Sequence, residues 1–353
     1  MAEYLPTAKT ADGIPCDDEM EATMRWKPGL MASSATGMVT ALLLVVAPVV
    51  RSTTDNPELA RPPGESAQLS GAQMSKTLQL SRPAEGEQSP SSRYSPSASS
   101  PSLEFDLSSF NVLGSSHTEP GGSKAQMASG PTRMRWAARL LTRHGVDVVG
   151  FQEIQLDQVQ TFVRVRGGTY DIYPGSSAGG RAAQNSIAWR TDMWSRVRAS
   201  TVPIPYFDGN TVPMPVVLLR HRATGVKAYF TNFHNPATTR GHPNQERWRR
   251  QALLQEIALV NRLNRETGRP VFLTGDLNER EVAFCMMTDR APMIAANGGS
   301  NDGACRPPRP MGVDWIFGSI RVKFSNYRAD RSPLVTRTTD HPMIVSHVRI
   351  GAG

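Results

Sequence analysis

Oily and polar positions are spread unevenly along this 353-residue chain. Residues 1–103 hold a single long apolar run, Leu30 to Val50, in a background of Ser, Pro, Gly and Gln. From residue 104 onward, short apolar runs alternate with turn signals, the pattern of a folded domain. Runs rich in β-branched and aromatic residues predict strands over 105–112, 146–154, 185–190, 216–222, 226–235, 271–278, 312–318, 322–327 and 338–350. Two segments carry helical spacing instead. One starts at Pro131, which suits a first turn, runs through Met134, Ala138 and Leu141, and ends at Gly145, which suits a C-cap. The other spans Glu246 to Arg265, with Leu253, Ile257, Val260 and Asn264 along one side. Many strands with two long helices predict an α/β sandwich, two β-sheets facing each other with helices outside.

The strand ends change this picture. "VFLTGDLN" (271–278) runs from oil to a carboxylate and an amide two residues apart, which strand alternation places on one face. "VDVVGFQEI" stops at Glu153, and "VKAYFTNFHN" stops with Asn232 and His234 two apart. Asn111, Asp314 and the pair Asp340-His341 sit at the margins of other strands. One such ending is ordinary turn chemistry. The recurrence predicts strand ends converging on one site, with Gly275 letting the backbone approach a substrate.

Charge and composition divide the chain into parts. Residues 1–103 hold 8 Lys+Arg and 11 Asp+Glu, a net of −3; residues 104–353 hold 31 and 20, a net of +11. A basic domain suits polyanions such as nucleic acid, anionic lipid or phosphorylated metabolites, although the excess is mostly scattered arginine. The uncharged run 30–50, preceded by Arg25 and Lys27, approaches the ~20 residues that span a bilayer. The expected organisation is a polar tail (1–29), a membrane anchor or signal sequence (30–50), a disordered Ser/Pro-rich linker (51–103) and a folded domain (104–353). The anchor is preferred over a cleaved signal because Pro48 follows the small residues that would form a cleavage site. Either way the domain is expected outside the cytoplasm, anchored or secreted. There a Cys285–Cys305 disulfide is the natural reading; two free buried thiols would suit a cytosolic domain. No Cys/His spacing points to zinc, and no dinucleotide or P-loop glycine motif occurs.

In order along the chain, "SFNVL", "FQEI", "TNFHN", "TGDLN", "VDWIF" and "TDHP" resemble the endonuclease/exonuclease/phosphatase superfamily over about residues 104–350. The resemblance implies a four-layer α/β sandwich, two facing mixed sheets flanked by helices, and Mg²⁺-dependent hydrolysis of phosphate esters, with Mn²⁺ as a substitute. Glu153 would ligate the metal, with Asn111 and Asp340 beside it. Asp276 would orient or deprotonate the attacking water, and Asn278 would hold that water or a phosphate oxygen. His341, steadied by Asp314, would stabilise charge on a non-bridging oxygen, and His234 would contact the phosphate or assist the leaving oxygen. Asn185 and Asn232 would touch the substrate. His117, His144, His221, His242 and His347 match no motif and read as structural.

The ester itself is the open question. Inositol-phosphatase relatives carry Trp-Cys-Asp-Arg where this chain has Met311-Gly312-Val313-Asp314-Trp315, so that substrate is disfavoured. A sphingomyelinase would want an exposed aromatic hairpin, for which only "PIPYFDG" (203–209) offers a hint, and it reads equally as a Pro-rich loop. The expectation is a monomeric extracytoplasmic nuclease. The alternatives are a phosphatase or sphingomyelinase-like phosphodiesterase on small or lipid phosphates, and a non-catalytic surface-binding protein on the same scaffold.

Overall fold

The computed structural model describes residues 102–319 and 321–351. The expected tail and apolar run, with nearly all of the linker, lie outside the described residues. Among those described, no helix is long and apolar enough to cross a membrane.

The strands are β1 (Leu103–Asn111), β2 (Val148–Gln152), β3 (Tyr170–Tyr173), β4 (Ser186–Arg190), β5 (Trp194–Pro205), β6 (Thr211–His221) and β7 (Lys227–His234). They continue as β8 (Val271–Asp276), β9 (Met293–Ala295), β10 (Ser300–Asn301), β11 (Cys305–Arg306), β12 (Asp314–Ser319), β13 (Val322–Asp330) and β14 (Met343–Ile350). The helices are α1 (Gly130–Arg143), α2 (Leu156–Arg166), α3 (Gly180–Ala183), α4 (Glu246–Thr267), α5 (Glu281–Arg290) and α6 (Pro333–Thr338). One six-stranded sheet has the order β13-β14-β1-β2-β4-β3 and the other β5-β6-β7-β8-β12-β9; both mix parallel and antiparallel pairs.

Strand alternation sorts the side chains into layers. On β8, Val271 and Leu273 pack outward with Leu253, Ile257 and Val260 of α4, while Phe272 faces the other sheet. On β1 and β2, Phe110, Val149 and Phe151 pack outward with Met134 and Leu141 of α1 and Phe162 of α2. Between the sheets lie Phe105, Trp194, Phe230, Phe272, Ile316 and Val348. The order helix, sheet, sheet, helix is the four-layer sandwich that the motif order implies.

The inter-sheet layer is apolar at one end and polar at the other. Thr274 and Asp276 follow Phe272 on its face of β8, and Asn232 and His234 follow Phe230 on β7. Asn111 and Gln152 end β1 and β2 on the facing sheet. Gly150 lets the sheets meet there, since a Cβ would lie 2.0 Å from Thr274 Oγ1 and 2.4 Å from Asn232 Oδ1. Gly275 has a different task from the expected one. A Cβ there would lie 2.6 Å from the Phe233 carbonyl oxygen, so this glycine serves the packing of β8 against β7 rather than substrate approach.

Several elements differ from the sequence reading. Helix α2 falls in a stretch to which the sequence patterns assign no element, and Gln155 and Gln158 close a capping box at its start. Cys285 lies in helix α5 rather than in a loop, and bonds Cys305 of β11 with Cα atoms 5.7 Å apart. The segment 203–209 is the turning end of the long β5–β6 hairpin. Leu103, assigned to the linker, is the first buried residue of β1.

Candidate active site

Pairing register brings the polar strand ends together. Parallel β7 and β8 set His234 beside Asp276, and antiparallel β12 sets Asp314 beside the same residue. Parallel β1 and β2 set Asn111 beside Gln152, one residue before Glu153. Glu153 takes a left-handed backbone (φ 59°), a costly conformation for a residue with a Cβ, which breaks strand alternation and turns its carboxylate to the cleft.

The cleft measures about 480 Å³, and its lining includes Glu153, Asn185, His234, Asp276, Asn278 and His341. Glu153 Oε1 accepts from Asn111 Nδ2 (2.8 Å) and Oε2 from the Gly114 N–H (3.0 Å), with His117 Nε2 at 3.4 Å. Burial alone would raise this carboxyl's pKa, but His234, the Asn111 amide, the Gly114 N–H and His117 together hold it below the usual range. Asp276 Oδ2 accepts a second bond from Asn111 Nδ2 at 3.1 Å and lies 3.7 Å from His234 Nε2 and 3.6 Å from His341 Nε2. His341 Nδ1 donates to Asp314, 3.0 Å from each oxygen. Burial opposes charge on this ring, yet Asp314, helped by Asp276 and Asp340, outweighs it and raises the pKa, which favours the charged ring. Burial likewise pushes Asp314 up, with His341 pulling the other way.

Asp276, Asp314 and His341 each offer a donor atom within 4.8 Å of the others. Both Asp314 oxygens are already engaged by His341 Nδ1, so the three form a carboxylate–histidine pair facing Asp276. The donors left open to the cleft are carboxylate oxygens of Glu153 and Asp276, hard ligands that suit a divalent cation retaining several waters. Asn111, expected as a ligand, turns Oδ1 to the Leu113 N–H (3.0 Å) and bridges the two carboxylates through its amide nitrogen. Asp340 stands apart, its side chain 38% exposed and 3.8 Å from Lys124.

The remaining expected residues divide as well. Asn185 is buried at the cleft wall, its Oδ1 without a partner among the described residues. Asn232 lies beneath the floor, donating to the Phe151 carbonyl (2.7 Å) and accepting from Gln152 (2.6 Å), so it supports the site from below. Asn278 lies outside β8 in a left-handed conformation (φ 48°), so the strand-face argument for it fails. A turn closed by its N–H on Asp276 Oδ1 (3.0 Å) carries it to the cleft, and its side chain donates to the Asn235 carbonyl (2.9 Å).

Other contributors lie outside the six family motifs. His117 and His242, read as structural, line the cleft together with Arg181 and Tyr206. Arg133 looks like one position in the α1 pattern but is fully buried, donating to the Val112, Gly114, Ala128 and Thr338 carbonyls at 2.6–3.2 Å. It ties the loop that holds Glu153 to the segment leading to His341.

Glu256 of α4 is buried behind Asn235, and burial pushes its carboxyl up to about 8, against the pull of the Asn235 amide. A carboxyl raised on folding binds its proton more tightly in the folded state, so stability falls as pH rises from the unfolded value of 4.5 toward 8. Glu256→Gln removes that penalty. Denaturant titrations should show the variant gaining on the order of 4 kcal/mol over the wild type between pH 4.5 and 8. A difference that does not change with pH would mean Glu256 is ionised in the fold.

Residues 108–341 match the model of the Endonuclease/Exonuclease/phosphatase family. Among solved structures, the chain is similar to an endonuclease/exonuclease/phosphatase from Bacteroides vulgatus at 17% identity and TM-score 0.56, over 70% of this chain and 99% of that one. It is similar to a mannosyl-6-phosphatase from Bacteroides thetaiotaomicron at 16% identity and TM-score 0.53, over 69% and 99%. The human nocturnin catalytic domain with a bound sulfate anion is also similar, at 15% identity and TM-score 0.53, over 69% and 94%. At these identities the likeness is one of fold. No curated protein matches the chain.

Proposed function

Because the chain belongs to the endonuclease/exonuclease/phosphatase family, hydrolases of phosphate esters, we propose that it is a Mg²⁺-dependent phosphodiesterase acting on nucleic acid outside the cytoplasm. The observation that carries the reading is the meeting of Asp276 with His234, His341 and the Asn111–Glu153 pair in one cleft. A divalent cation on Glu153 would neutralise phosphate charge that otherwise repels the nucleophile. Asp276 accepts the proton of the attacking water, its orientation fixed by the Asn111 amide and the Asn278 N–H. The His341 imidazolium, held by Asp314, donates to a non-bridging oxygen as charge grows there. His234 stands on the other side of Asp276, where it can donate to the phosphate or the leaving oxygen.

A nucleic-acid substrate is supported by the domain's net charge of +11. The location is supported by the apolar run 30–50 and the Cys285–Cys305 bond. The mannosyl-6-phosphatase neighbour makes a small sugar phosphate the competing substrate. The test is a hydrolysis panel in Mg²⁺ and in EDTA over single-stranded and duplex DNA, RNA, sphingomyelin vesicles and mannose 6-phosphate, with protease digestion of whole cells. The reading predicts EDTA-sensitive cleavage of nucleic acid and external digestion of the domain. Preference for the sugar monoester, or a domain protected until lysis, would overturn the corresponding half.

A further inference from the structure

Residues Tyr206 to Asn210 join β5 to β6, and their backbone is pinned from several sides. Asp208 (φ 58°) and Gly209 (φ 84°) both take the left-handed region. The buried Gln245 accepts from the Asp208 N–H (3.0 Å) and donates to its carboxylate (2.8 Å). Trp248 of α4 packs so close to Gly209 that a Cβ there would lie 2.5 Å from the indole. Asp208 also holds His242 through Nδ1 at 2.8 Å. The outcome is a fixed stack in which Phe207 lies on the His242 ring at 4.3 Å, with the planes 20° apart.

Phe207 is half-buried, joins none of the apolar layers outside or between the two sheets, and lines the cleft. It also stands close to the chemistry. Phe207 touches Tyr206 (4.5 Å between ring centres), and Tyr206 touches His234 (5.6 Å), which faces Asp276. Arg181, exposed in the same cleft, adds a cation. A planar, rigid stack beside the proposed phosphate site, with a guanidinium that pairs with no carboxylate among the described residues, matches a nucleobase and an adjoining phosphate. A base in a duplex presents its edges, not its face, so only an unpaired base can use such a platform.

We infer that Phe207 and His242 form a base-stacking subsite, with Arg181 taking a neighbouring phosphate, and that the substrate class is therefore single-stranded nucleic acid. The inference rests on the phosphodiesterase reading above. The experiment compares a short single-stranded oligonucleotide with the same strand carrying abasic residues, in two assays on the full chain: equilibrium binding in EDTA and hydrolysis in Mg²⁺. Stacking on an aromatic platform predicts about a 10-fold preference for the base-bearing strand in both assays. That preference should collapse toward unity in Phe207→Leu and persist in Phe207→Trp, which keeps an aromatic face. Equal binding of the two strands by the wild type overturns the subsite whatever the catalytic result. A Phe207→Leu defect seen only on sphingomyelin vesicles overturns it in favour of lipid contact. Base-dependent binding without hydrolysis of any ester keeps the subsite and rejects the catalytic reading.

Discussion

Asp276→Asn should lower kcat by roughly 10³-fold, within the range a positioned general base contributes, while substrate binding survives. The substitution preserves shape and can still accept from the Asn278 N–H, but it removes the proposed acceptor of the water's proton. It also removes the negative charge 3.6 Å from His341 and 3.7 Å from His234. Single-turnover rates at saturating substrate, read beside the melting temperature, separate chemistry from folding. If 271–278 were only a turn, the variant would melt early and cleave at the wild-type rate. That result would return "VFLTGDLN" to ordinary turn chemistry.

Glu153→Gln should cost ~10²-fold or more in kcat at fixed Mg²⁺, comparable to the loss of one key electrostatic group. It should also raise the Mg²⁺ concentration needed for half-maximal rate. The domain should still fold, with a modest loss of stability, because a glutamine oxygen keeps one of the two contacts, to Asn111 or to Gly114, while the charge those donors favour is gone. A melting curve in EDTA checks this without turnover. A variant with wild-type rate and Mg²⁺ dependence would remove Glu153 from the metal site.

Much of the site can be read from the sequence because of how the strands meet the cleft. A strand buried on both faces should stay apolar, so a face that runs Phe272, Thr274, Asp276 or Phe230, Asn232, His234 records an environment that changes along its length. Asp314 reads in reverse, opening β12, because that strand runs antiparallel to β8. What fails is whatever depends on geometry outside regular strands. Asn278 and Glu153 owe their directions to left-handed residues that alternation does not describe.

Helix α2 alternates Val159, Thr161 and Val163 as a strand would, and α5 (EVAFCMMTDR) has no sharp division into apolar and polar faces, so neither is legible as a helical stripe. The aromatic tip was half visible in "PIPYFDG". Its clamps, Gln245 and Trp248, are distant in sequence, so the rigidity that turns a loop into a wall was not. Arg133 shows the same limit, since nothing in one helical stripe announces which charged residue is buried as a hub.

The account stands or falls on water, oriented at Asp276, attacking phosphorus. Hydrolysis of a defined single-stranded phosphodiester in oxygen-18 water, followed by mass spectrometry of both products, tests this directly. The account predicts one heavy oxygen in the phosphoryl product per cleavage in Mg²⁺, none in the released hydroxyl, and no cleavage in EDTA. Label appearing in the hydroxyl product, or undiminished cleavage in EDTA, would contradict it.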